Sequence, residues 1–221
     1  MTSRFDRTLL PDAPDLTFET ALWQEGITTI AGVDEAGRGA WAGPVVAAAV
    51  ILPINFSVSS FPMRLRDSKQ LSAEKRASLE PVIKAQALAW GIGCADNMEI
   101  DLSGIIAATR AAMTRALEAL KPAPQHLLID ALFLPEIYTS QTALIKGDQR
   151  SLSIAAASIL AKTSRDRWME ALAQTEPGYL FERNKGYGTR AHQEALARHG
   201  ACQAHRFSFS PLKALCEKSK T

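Results

Sequence analysis

Apolar residues occur in short runs along the chain, and glycine, proline or charged residues separate one run from the next. The run Ile27–Val33 is rich in β-branched residues and predicts a buried strand, which ends where Asp34 begins a glycine-rich turn. Similar runs predict further strands at Pro44–Leu52, Leu88–Ala95, His126–Ile129 and Gln141–Ile145. Because the first strands come early and the later ones alternate with helices, this order favours a mixed sheet covered by helices.

Helical patterns fill most of the intervals between these strands. Ser72 is a candidate N-cap for a helix that runs to about Ala87, although Lys75 stands where a capping box needs an acid or amide. Thr189 is a candidate N-cap for a helix that ends at Arg198. Further helices are predicted at Thr17–Gln24, Asp96–Leu120, Ser151–Gln174 and Pro211–Lys220, with a glycine-rich loop over Pro177–Thr189.

The charge of the chain is unevenly distributed. The 221 residues have a formal net charge of +2, which excludes a histone-like polycation, and a composition of 47% hydrophobic and 22% charged residues is typical of a folded globular domain. Residues 183–221, however, carry eight basic and two acidic residues, a net +6, whereas residues 1–182 carry a net −4. Such asymmetry indicates a polyanionic partner; a solvated basic helix is the alternative interpretation.

The cysteines and the N-terminus predict the cellular compartment. Cys94, Cys202 and Cys216 show no paired spacing, so reduced thiols are expected rather than a disulfide framework or a zinc site. Residues 1–14 mix basic and acidic residues and do not resemble a signal peptide, and no apolar stretch is long enough to cross a bilayer. We therefore expect a soluble, cytoplasmic protein without membrane contacts.

Four carboxylates follow the predicted strands. Asp34 and Glu35 come after the first strand, Asp130 after the fourth and Asp148 shortly after the fifth. Since active sites of α/β proteins form beyond strand ends, neighbouring strands would bring these side chains together. The cluster would repel itself unless cations compensate, and Mg²⁺ or Mn²⁺ prefers such oxygen ligands. Two ions about 4 Å apart would suit phosphodiester cleavage. The alternative is that each acid is only a turn residue.

Two glycine-rich segments offer contacts for a nucleic acid. Gly37-Arg38-Gly39 would let the backbone approach a phosphate or sugar closely, or would simply form a tight turn. Asn184-Lys185-Gly186-Tyr187-Gly188-Thr189 offers a cation for phosphate, an aromatic face for a sugar or base, and a hydroxyl at a helix start. The alternative is that Tyr187 only packs within its loop.

Longer motifs resemble those of the ribonuclease HII family, the type 2 ribonucleases H. Gly32-Val33-Asp34-Glu35-Ala36-Gly37-Arg38-Gly39 is followed by Ala42-Gly43-Pro44-Val45-Val46-Ala47-Ala48-Ala49. Matches continue in register from about residue 28 to residue 212, through Asp67-Ser68-Lys69, Ile129-Asp130, Lys146-Gly147-Asp148, Ser153–Lys162, Arg165-Asp166-Arg167, Asn184–Thr189 and His205-Arg206.

The resemblance implies an α/β, ribonuclease H-like fold, with a five-stranded mixed sheet flanked by helices and a small helical C-terminal part. Residues 1–26 lie outside the resemblance and are expected to form an N-terminal leader, residues 27–189 the catalytic domain, and residues 190–221 a basic helical segment packed on it. The implied activity is hydrolysis of the RNA strand of RNA–DNA hybrids and incision 5′ to single ribonucleotides embedded in duplex DNA, leaving 3′-hydroxyl and 5′-phosphate ends. Such an enzyme would serve DNA replication and ribonucleotide excision repair, and a monomer is the default expectation because no sequence feature fixes the oligomeric state.

The resemblance also implies roles for individual residues. The catalytic and metal-binding set would be Asp34, Glu35, Asp130 and Asp148, which hold Mn²⁺ or Mg²⁺, with two ions during turnover. These are the same four carboxylates that follow the predicted strands.

The substrate-binding residues are implied in the same way. Gly37, Arg38 and Gly39 would contact the 2′-hydroxyl of the ribonucleotide through their backbone, and Tyr187 would stack on the sugar of the next deoxynucleotide. The residues that would contact phosphates are Lys69 and Lys185.

Two segments depart from the family pattern, and two other functions stay open. Ala40-Trp41 stands where the family often has proline and a smaller apolar residue, and Arg206–Pro211 is more aromatic than expected. Asp166 is interpreted as an ion-paired residue rather than a metal ligand. One alternative is a metal-dependent phosphohydrolase for small substrates, which the basic tail argues against. The other is a non-catalytic nucleic-acid-binding module, which would be expected to have lost a carboxylate.

Overall fold

One five-stranded mixed sheet organises the structure. The computed structural model of the protein describes Asp6 and residues 10–61, 71–210 and 212–214. The strands are β1 (Ile30–Ala36), β2 (Val45–Ile51), β3 (Ala89–Ala95), β4 (His126–Asp130) and β5 (Ser140–Leu144). They lie in the order β3-β2-β1-β4-β5. β1, β2 and β3 pair antiparallel, whereas β1, β4 and β5 pair parallel, so the predicted mixed sheet is confirmed.

Helices pack against this sheet and at its margins. They are α1 (Thr17–Gln24), α2 (Ala73–Gln86), α3 (Asn97–Ser103), α4 (Ile105–Glu118), α5 (Leu152–Thr175), α6 (Phe181–Asn184) and α7 (Arg190–His199). Within the described ranges, no helix combines the length and the apolar character that spanning a membrane requires.

The central strand β2 shows why the sheet is covered on both faces. All of its residues are buried. Val45, Ala47 and Ala49 belong to a core cluster that includes residues of α4, whereas Ala48 and Val50 belong to a cluster that includes residues of α5. Because alternate side chains of a strand point to opposite faces, α4 and α5 lie on opposite faces of the sheet.

Strand β1 is shifted relative to the prediction. It begins later, at Ile30, and extends to Ala36, so that Asp34 and Glu35 lie within the strand rather than after it. Pairing with β2 continues until Ala36 faces Val46. This antiparallel ladder holds the polar residues in extended conformation, which the apolar pattern alone does not indicate.

The single long helix predicted at Asp96–Leu120 is wrong, because two helices, α3 and α4, occupy this segment. Gly104 separates them with a backbone φ of +81°, in the left-handed region that favours glycine. Asp96 caps α3 and forms a capping box with Glu99, a signal that the sequence analysis missed. The apolar pattern continues into the same core cluster on both sides of the break, so periodicity does not reveal it.

Most other helix boundaries agree with the sequence. The predicted N-caps Ser72 and Thr189 each accept a backbone hydrogen bond at 3.3 Å, from Lys75 and His192 respectively. The glycine-rich loop after α5 is interrupted by the short helix α6. The helix predicted at Pro211–Lys220 lies mostly outside the described residues. The part of it that is described, residues 212–214, is helical.

Helix α1 packs on the sheet through the face that the sequence predicts. Phe18, Leu22 and Trp23 contact a core cluster made of residues from β1, β4, β5 and α5. On the same helix the Glu19 carboxylate is buried, and it accepts a hydrogen bond of 2.6 Å from the Ser153 hydroxyl at the start of α5. The N-terminal helix is thereby tied to α5.

The backbones of strand β1 and helix α5 are in direct contact at Gly32. A Cβ atom on Gly32 would lie 2.1 Å from the carbonyl carbon of Ser153 and 2.3 Å from the amide nitrogen of Ile154. Only a residue without a side chain permits this approach. The first turn of α5 therefore rests directly on the strand that carries Asp34.

Replacing Gly32 by alanine is expected to lower the free energy of unfolding by about 3 kcal/mol, because the added methyl group would push α5 away from β1. Gly39→Ala is the matched control, since a Cβ atom there would meet nothing within 4 Å. Urea unfolding followed by circular dichroism measures both variants. Equal losses in the two would contradict the close-contact explanation.

Candidate active site

Three parallel strands place carboxylates at one edge of the sheet. Asp34 lies near the end of β1, and Asp130 is the last residue of β4. Val33 pairs with Ile129 in the ladder, so the two aspartates that follow lie side by side on neighbouring strands. Asp148 lies in a short 3-10 turn after β5, the next strand in the sheet.

The electrostatics of Asp34 show how closely these groups are gathered. Asp34 is only 5% exposed. Burial raises the pKa of its carboxyl well above the ordinary 3.8, and the negative charges of Glu35, Asp130 and Asp148 raise it further, while a hydrogen bond from Ser158 opposes them. The structure therefore brings the four carboxylates together around the buried Asp34.

Ser158 is a site residue that the sequence analysis missed. It lies in the alanine-rich first half of α5, and its side chain is buried beside Asp34. It stands seven residues after Ser151, the N-cap of α5, and this spacing puts both residues on one face of the helix. A hydroxyl on the sheet-facing side of an apolar helix was the available signal.

Local hydrogen bonds hold the carboxylates in their present orientations. Asp34 Oδ1 accepts from the Glu35 backbone N–H at 2.7 Å, and Asp130 Oδ1 accepts from that of Gly147 at 2.7 Å. Arg38 Nη1 donates to Glu35 Oε1 at 3.0 Å. In this arrangement no three acidic, histidine or cysteine side chains in the described part of the chain are already disposed to hold a metal ion.

The chemistry of the donor set nevertheless fits a hard divalent cation. Four carboxylates supply oxygen ligands of the kind that Mg²⁺ and Mn²⁺ prefer. Ionised Asp34, buried among three other acids, is unfavourable unless a cation compensates its charge. The backbone already places the donors at one sheet edge, so metal binding requires adjustment of side chains, such as the partly exposed Arg38 that pairs with Glu35.

A buried arginine, Arg165 of α5, supports the loop at residues 37–39. Gly37 has a φ of +97°, and a Cβ atom there would lie 2.0 Å from Arg165 Nε, so a glycine is required. The guanidinium is fully buried and donates to the carbonyl oxygens of Pro44 at 2.9 Å, Ala42 at 3.2 Å and Lys185 at 2.9 Å. Arg165 thus joins the segment after β1 to the loop that carries Tyr187.

A second buried arginine, Arg206, holds the same segment from the other side. It donates to the carbonyl oxygens of Gly43 at 2.9 Å and Arg38 at 3.0 Å. Burial and the nearby positive charge of Arg165 lower its pKa to about 9. Its guanidinium lies 5.2 Å from the ring centre of Phe209. This contact gives a structural role to one of the aromatic residues that distinguish Arg206–Pro211 from the family pattern.

The loop at residues 184–189 presents an aromatic ring beside these cations. Tyr187 is 37% exposed, and the guanidinium of Arg165 lies 5.4 Å from its ring centre. Lys185 Nζ, by contrast, is occupied by the Glu170 carboxylate at 2.6 Å and by the carbonyl of Glu182 at 2.7 Å. A phosphate contact by Lys185 would require these bonds to be exchanged.

The remaining residues singled out in the sequence have simpler surroundings. Trp41 packs against Gly188, where an added Cβ would lie 2.2 Å from its ring, so Trp41 serves as a packing residue between the two loops. Asp166 pairs with Arg76 at 3.0 Å and Lys162 at 2.5 Å, and it is buried rather than exposed. Lys69 lies outside the described residues.

Comparisons with known proteins agree with this fold. The Ribonuclease HII family matches residues 31–211. The chain is 53% identical to Ribonuclease HII of Listeria innocua over 196 residues, which cover 89% of this chain and 73% of that protein. It is similar to the crystal structure of ribonuclease H2 from Pyrococcus horikoshii OT3, with a TM-score of 0.73 and 24% identity over 87% of this chain and 99% of that one. It is also similar to Bst-RNase HIII in complex with Mn²⁺, with a TM-score of 0.69 and 22% identity over 90% and 73% of the two chains.

The fold is therefore that of the type 2 ribonucleases H. The chain belongs to the ribonuclease HII family. It is an endonuclease of the ribonuclease H kind, which acts on RNA–DNA hybrids. The two other functions that the sequence left open, a phosphohydrolase for small substrates and a non-catalytic binding module, are not retained.

Asp34→Asn is expected to stabilise the protein at neutral pH in the absence of divalent cations. The pKa of Asp34 is raised in the folded state, so its contribution to stability is present below pH 3.8 and is lost as the pH rises through the folded pKa. Asparagine removes the buried charge. The gain in unfolding free energy should therefore grow with pH and exceed the ~0.5 kcal/mol spread typical of surface substitutions.

Urea unfolding between pH 4 and pH 8, with EDTA present, measures this gain. The control is Asp12→Asn, which changes an exposed acid that precedes β1 in the sequence. This variant should have nearly the same free energy of unfolding as the unmodified protein at every pH. A loss of stability in Asp34→Asn at neutral pH, or a gain independent of pH, would show that the buried charge is already compensated within the protein.

Proposed function

We propose that Asp34, Glu35, Asp130 and Asp148 form the catalytic centre. The observation that carries this proposal is the position of Asp34, buried at a sheet edge with its pKa raised by the three other carboxylates. A structural role alone does not account for four acids gathered at parallel strand ends, because their mutual repulsion destabilises the folded chain. A site that binds cations and a phosphodiester does account for them.

The four carboxylates are proposed to hold Mn²⁺ or Mg²⁺, with two ions during turnover. When bound, such ions activate the attacking water and stabilise the leaving oxygen. The protein's part is to supply ionised oxygen donors at one sheet edge, and the hydrogen bond from Ser158 favours the charged form of Asp34 that this requires. The structure of the similar Bst-RNase HIII in complex with Mn²⁺ supports this choice of metal.

The loop Gly37-Arg38-Gly39 is proposed to recognise the 2′-hydroxyl of a ribonucleotide through its backbone. The space around Gly39 is open, since an added Cβ would meet nothing within 4 Å, so a sugar has room to approach the main chain. Arg165 and Arg206 fix the following residues by hydrogen bonds to their carbonyl oxygens. A rigid loop of this kind can distinguish RNA from DNA by one hydroxyl.

Tyr187 is proposed to stack on the sugar of the deoxynucleotide that follows the ribonucleotide. Its partly exposed ring and the neighbouring guanidinium of Arg165 support this assignment. The resulting activity is incision 5′ to a single ribonucleotide embedded in duplex DNA, with 3′-hydroxyl and 5′-phosphate ends. Lys69 and Lys185 are proposed to contact phosphates, with Lys185 first released from Glu170.

The broader assignments follow from this substrate. Ribonucleotides in DNA arise where DNA is synthesised, so we assign the protein to replication and ribonucleotide excision repair in the cytoplasm, acting as a monomer. Residues 27–189 would carry the chemistry, and the basic segment 190–221 would pack on them. Hydrogen bonds from Arg206 to the segment after β1 support that division.

A duplex DNA with one embedded ribonucleotide tests the activity. We expect cleavage on the 5′ side of the ribonucleotide in Mg²⁺ or Mn²⁺, and a loss of more than about 100-fold for Asp148→Asn, because removing a ligand should exceed the 10–100-fold effect of removing its supporting residues. Gel analysis of end-labelled substrate gives the cut position and the rate.

Asp12→Asn is the control for this assay and should retain full activity, since Asp12 is exposed. Isothermal titration with Mn²⁺ adds a readout independent of turnover, in which Asp148→Asn should bind more weakly. Full activity of Asp148→Asn, or a cut at any other position, would overturn the proposed site or the proposed specificity.

Tyr187→Ala is expected to reduce cleavage at a single embedded ribonucleotide about 10-fold more than cleavage of a uniform RNA–DNA hybrid, because one stacking contact is worth about 1–3 kcal/mol. Tyr187→Phe keeps the ring and should retain the preference. Tyr138→Ala removes a fully exposed tyrosine and serves as the control. The ratio of kcat/KM for the two substrates is the measurement, and an equal ratio in all three variants would rule out junction sensing by Tyr187.

A further inference from the structure

Tyr187 lies in a loop whose backbone is held from outside. Four consecutive carbonyl oxygens, those of residues 185–188, each contact a hydrogen-bonding group from another part of the chain. Arg165 donates to the first at 2.9 Å, and the backbone N–H of Trp41 donates to the second at 2.7 Å. His192 Nδ1 lies 3.0 Å from the third, the carbonyl of Tyr187, and Gln193 Nε2 donates to the fourth at 3.0 Å. Of these four groups, only the His192 imidazole is linked in turn to a second histidine.

His192 and His205 form a buried pair. Both are 0% exposed, and their Nε2 atoms are 3.0 Å apart. The carbonyl of Tyr187 can only accept, so His192 Nδ1 carries a proton, whereas His205 Nδ1 faces three groups of Cys202: its backbone N–H at 3.0 Å, its Sγ at 3.1 Å and its carbonyl oxygen at 3.2 Å. With both rings neutral, His192 Nε2 has no proton, so His205 donates to it from Nε2 and accepts at Nδ1 from the backbone N–H of Cys202.

Complete burial favours the neutral form of both rings. Burial lowers the pKa of both histidines, and burial together with the nearby His192 lowers the pKa of His205 to about 4. One defined chain of hydrogen bonds thus runs from the backbone of Cys202 through the two rings to the backbone of Tyr187.

The segment at residues 202–206 also holds the other proposed recognition loop. The backbone N–H of Gly43 donates to the carbonyl of Ala204 at 2.9 Å, and Arg206 donates to the carbonyl of Arg38 at 3.0 Å. One short stretch of chain therefore fixes the loop at residues 37–43 through Arg206 and the loop at residues 184–189 through the histidine pair.

We propose that His192 and His205 are positioning residues that set the place of Tyr187 relative to the Gly37–Gly39 loop, and so determine selectivity for a single ribonucleotide. The proposal rests on the proposed role of Tyr187 in sensing the junction. The histidines themselves touch neither substrate nor reacting atoms, since both are completely buried. They act through the carbonyl of Tyr187.

Three variants test the pair by kinetics. His192→Leu removes the side-chain donor to the Tyr187 carbonyl, which keeps a hydrogen bond of 2.7 Å from the backbone N–H of Thr189. We expect the preference for the single-ribonucleotide duplex over a uniform hybrid to fall about fivefold, the size of one neutral hydrogen bond. His192→Asn places an amide donor near the position of Nδ1 and should restore most of the preference. His199→Leu, an exposed histidine of the same helix, is the matched control and should change nothing.

A double-mutant cycle separates positioning from a general effect on stability. In a Tyr187→Ala background, His192→Leu should cause no further loss of preference, because both changes act on one contact. Thermal unfolding monitors the fold, and His205→Asn, which keeps an acceptor for Cys202 but is too short to reach His192, replaces His192→Leu if that variant does not fold. Equal losses on both substrates, or a further loss of preference in the Tyr187→Ala background, would overturn the proposal.

A second measurement observes Tyr187 without substrate. The chain has three tyrosines, so 3-fluorotyrosine labelling should give three fluorine resonances, and Tyr187→Phe identifies one of them. This resonance should shift or broaden in His192→Leu and recover in His192→Asn, while that of Tyr138 stays fixed. An unchanged Tyr187 resonance overturns the positioning role. An unchanged preference in Tyr187→Ala instead overturns the proposed role of Tyr187 and, with it, the link between the pair and selectivity.

Discussion

The backbone contact between β1 and α5 at Gly32 determines the geometry of the whole site. With the first turn of α5 resting on β1, the next turns place Ser158 beside Asp34 and Arg165 beneath Gly37. A side chain at position 32 would separate strand and helix and displace both contacts at once. The acidic centre and the loop proposed to recognise the 2′-hydroxyl therefore depend on one close approach that lies outside both.

The negative charges of the four carboxylates and the positive charges of Arg165 and Arg206 are stabilised in different ways. Four carboxylates are left to repel one another at the sheet edge, a cost that bound cations can offset. The two buried arginines, in contrast, donate to backbone carbonyl oxygens of residues 38–44 and 185, so each guanidinium is satisfied by several hydrogen bonds rather than by one carboxylate. Positive charge is thereby kept under the loops where a nucleic acid backbone would lie.

The basic residues of the segment 183–221 are of two kinds, some structural and some exposed to solvent. Arg206 is completely buried and Lys185 is paired with Glu170, so neither offers a free cation at the surface. Arg183, Arg190 and Arg198 are exposed and can face phosphates, although Arg190 would first have to be released from Glu194, with which it pairs at 2.9 Å. Part of the charge asymmetry in the sequence thus arises from arginine and lysine residues that are buried or paired. Composition alone does not distinguish these residues from the exposed ones.

The mixed sheet, most of the helices and the set of four acids could be predicted from the sequence, because apolar runs and the polar residues that follow them are local patterns. The sequence did not determine that Asp34 lies within β1, since pairing with β2 extends that strand. Nor did it reveal Ser158, the buried arginines or the histidine pair as parts of one support. His192 and His205 are brought within 3.0 Å only by the packing of α7 against the segment that follows it, and burial, which lowers the pKa of both rings, is a property of the assembled structure.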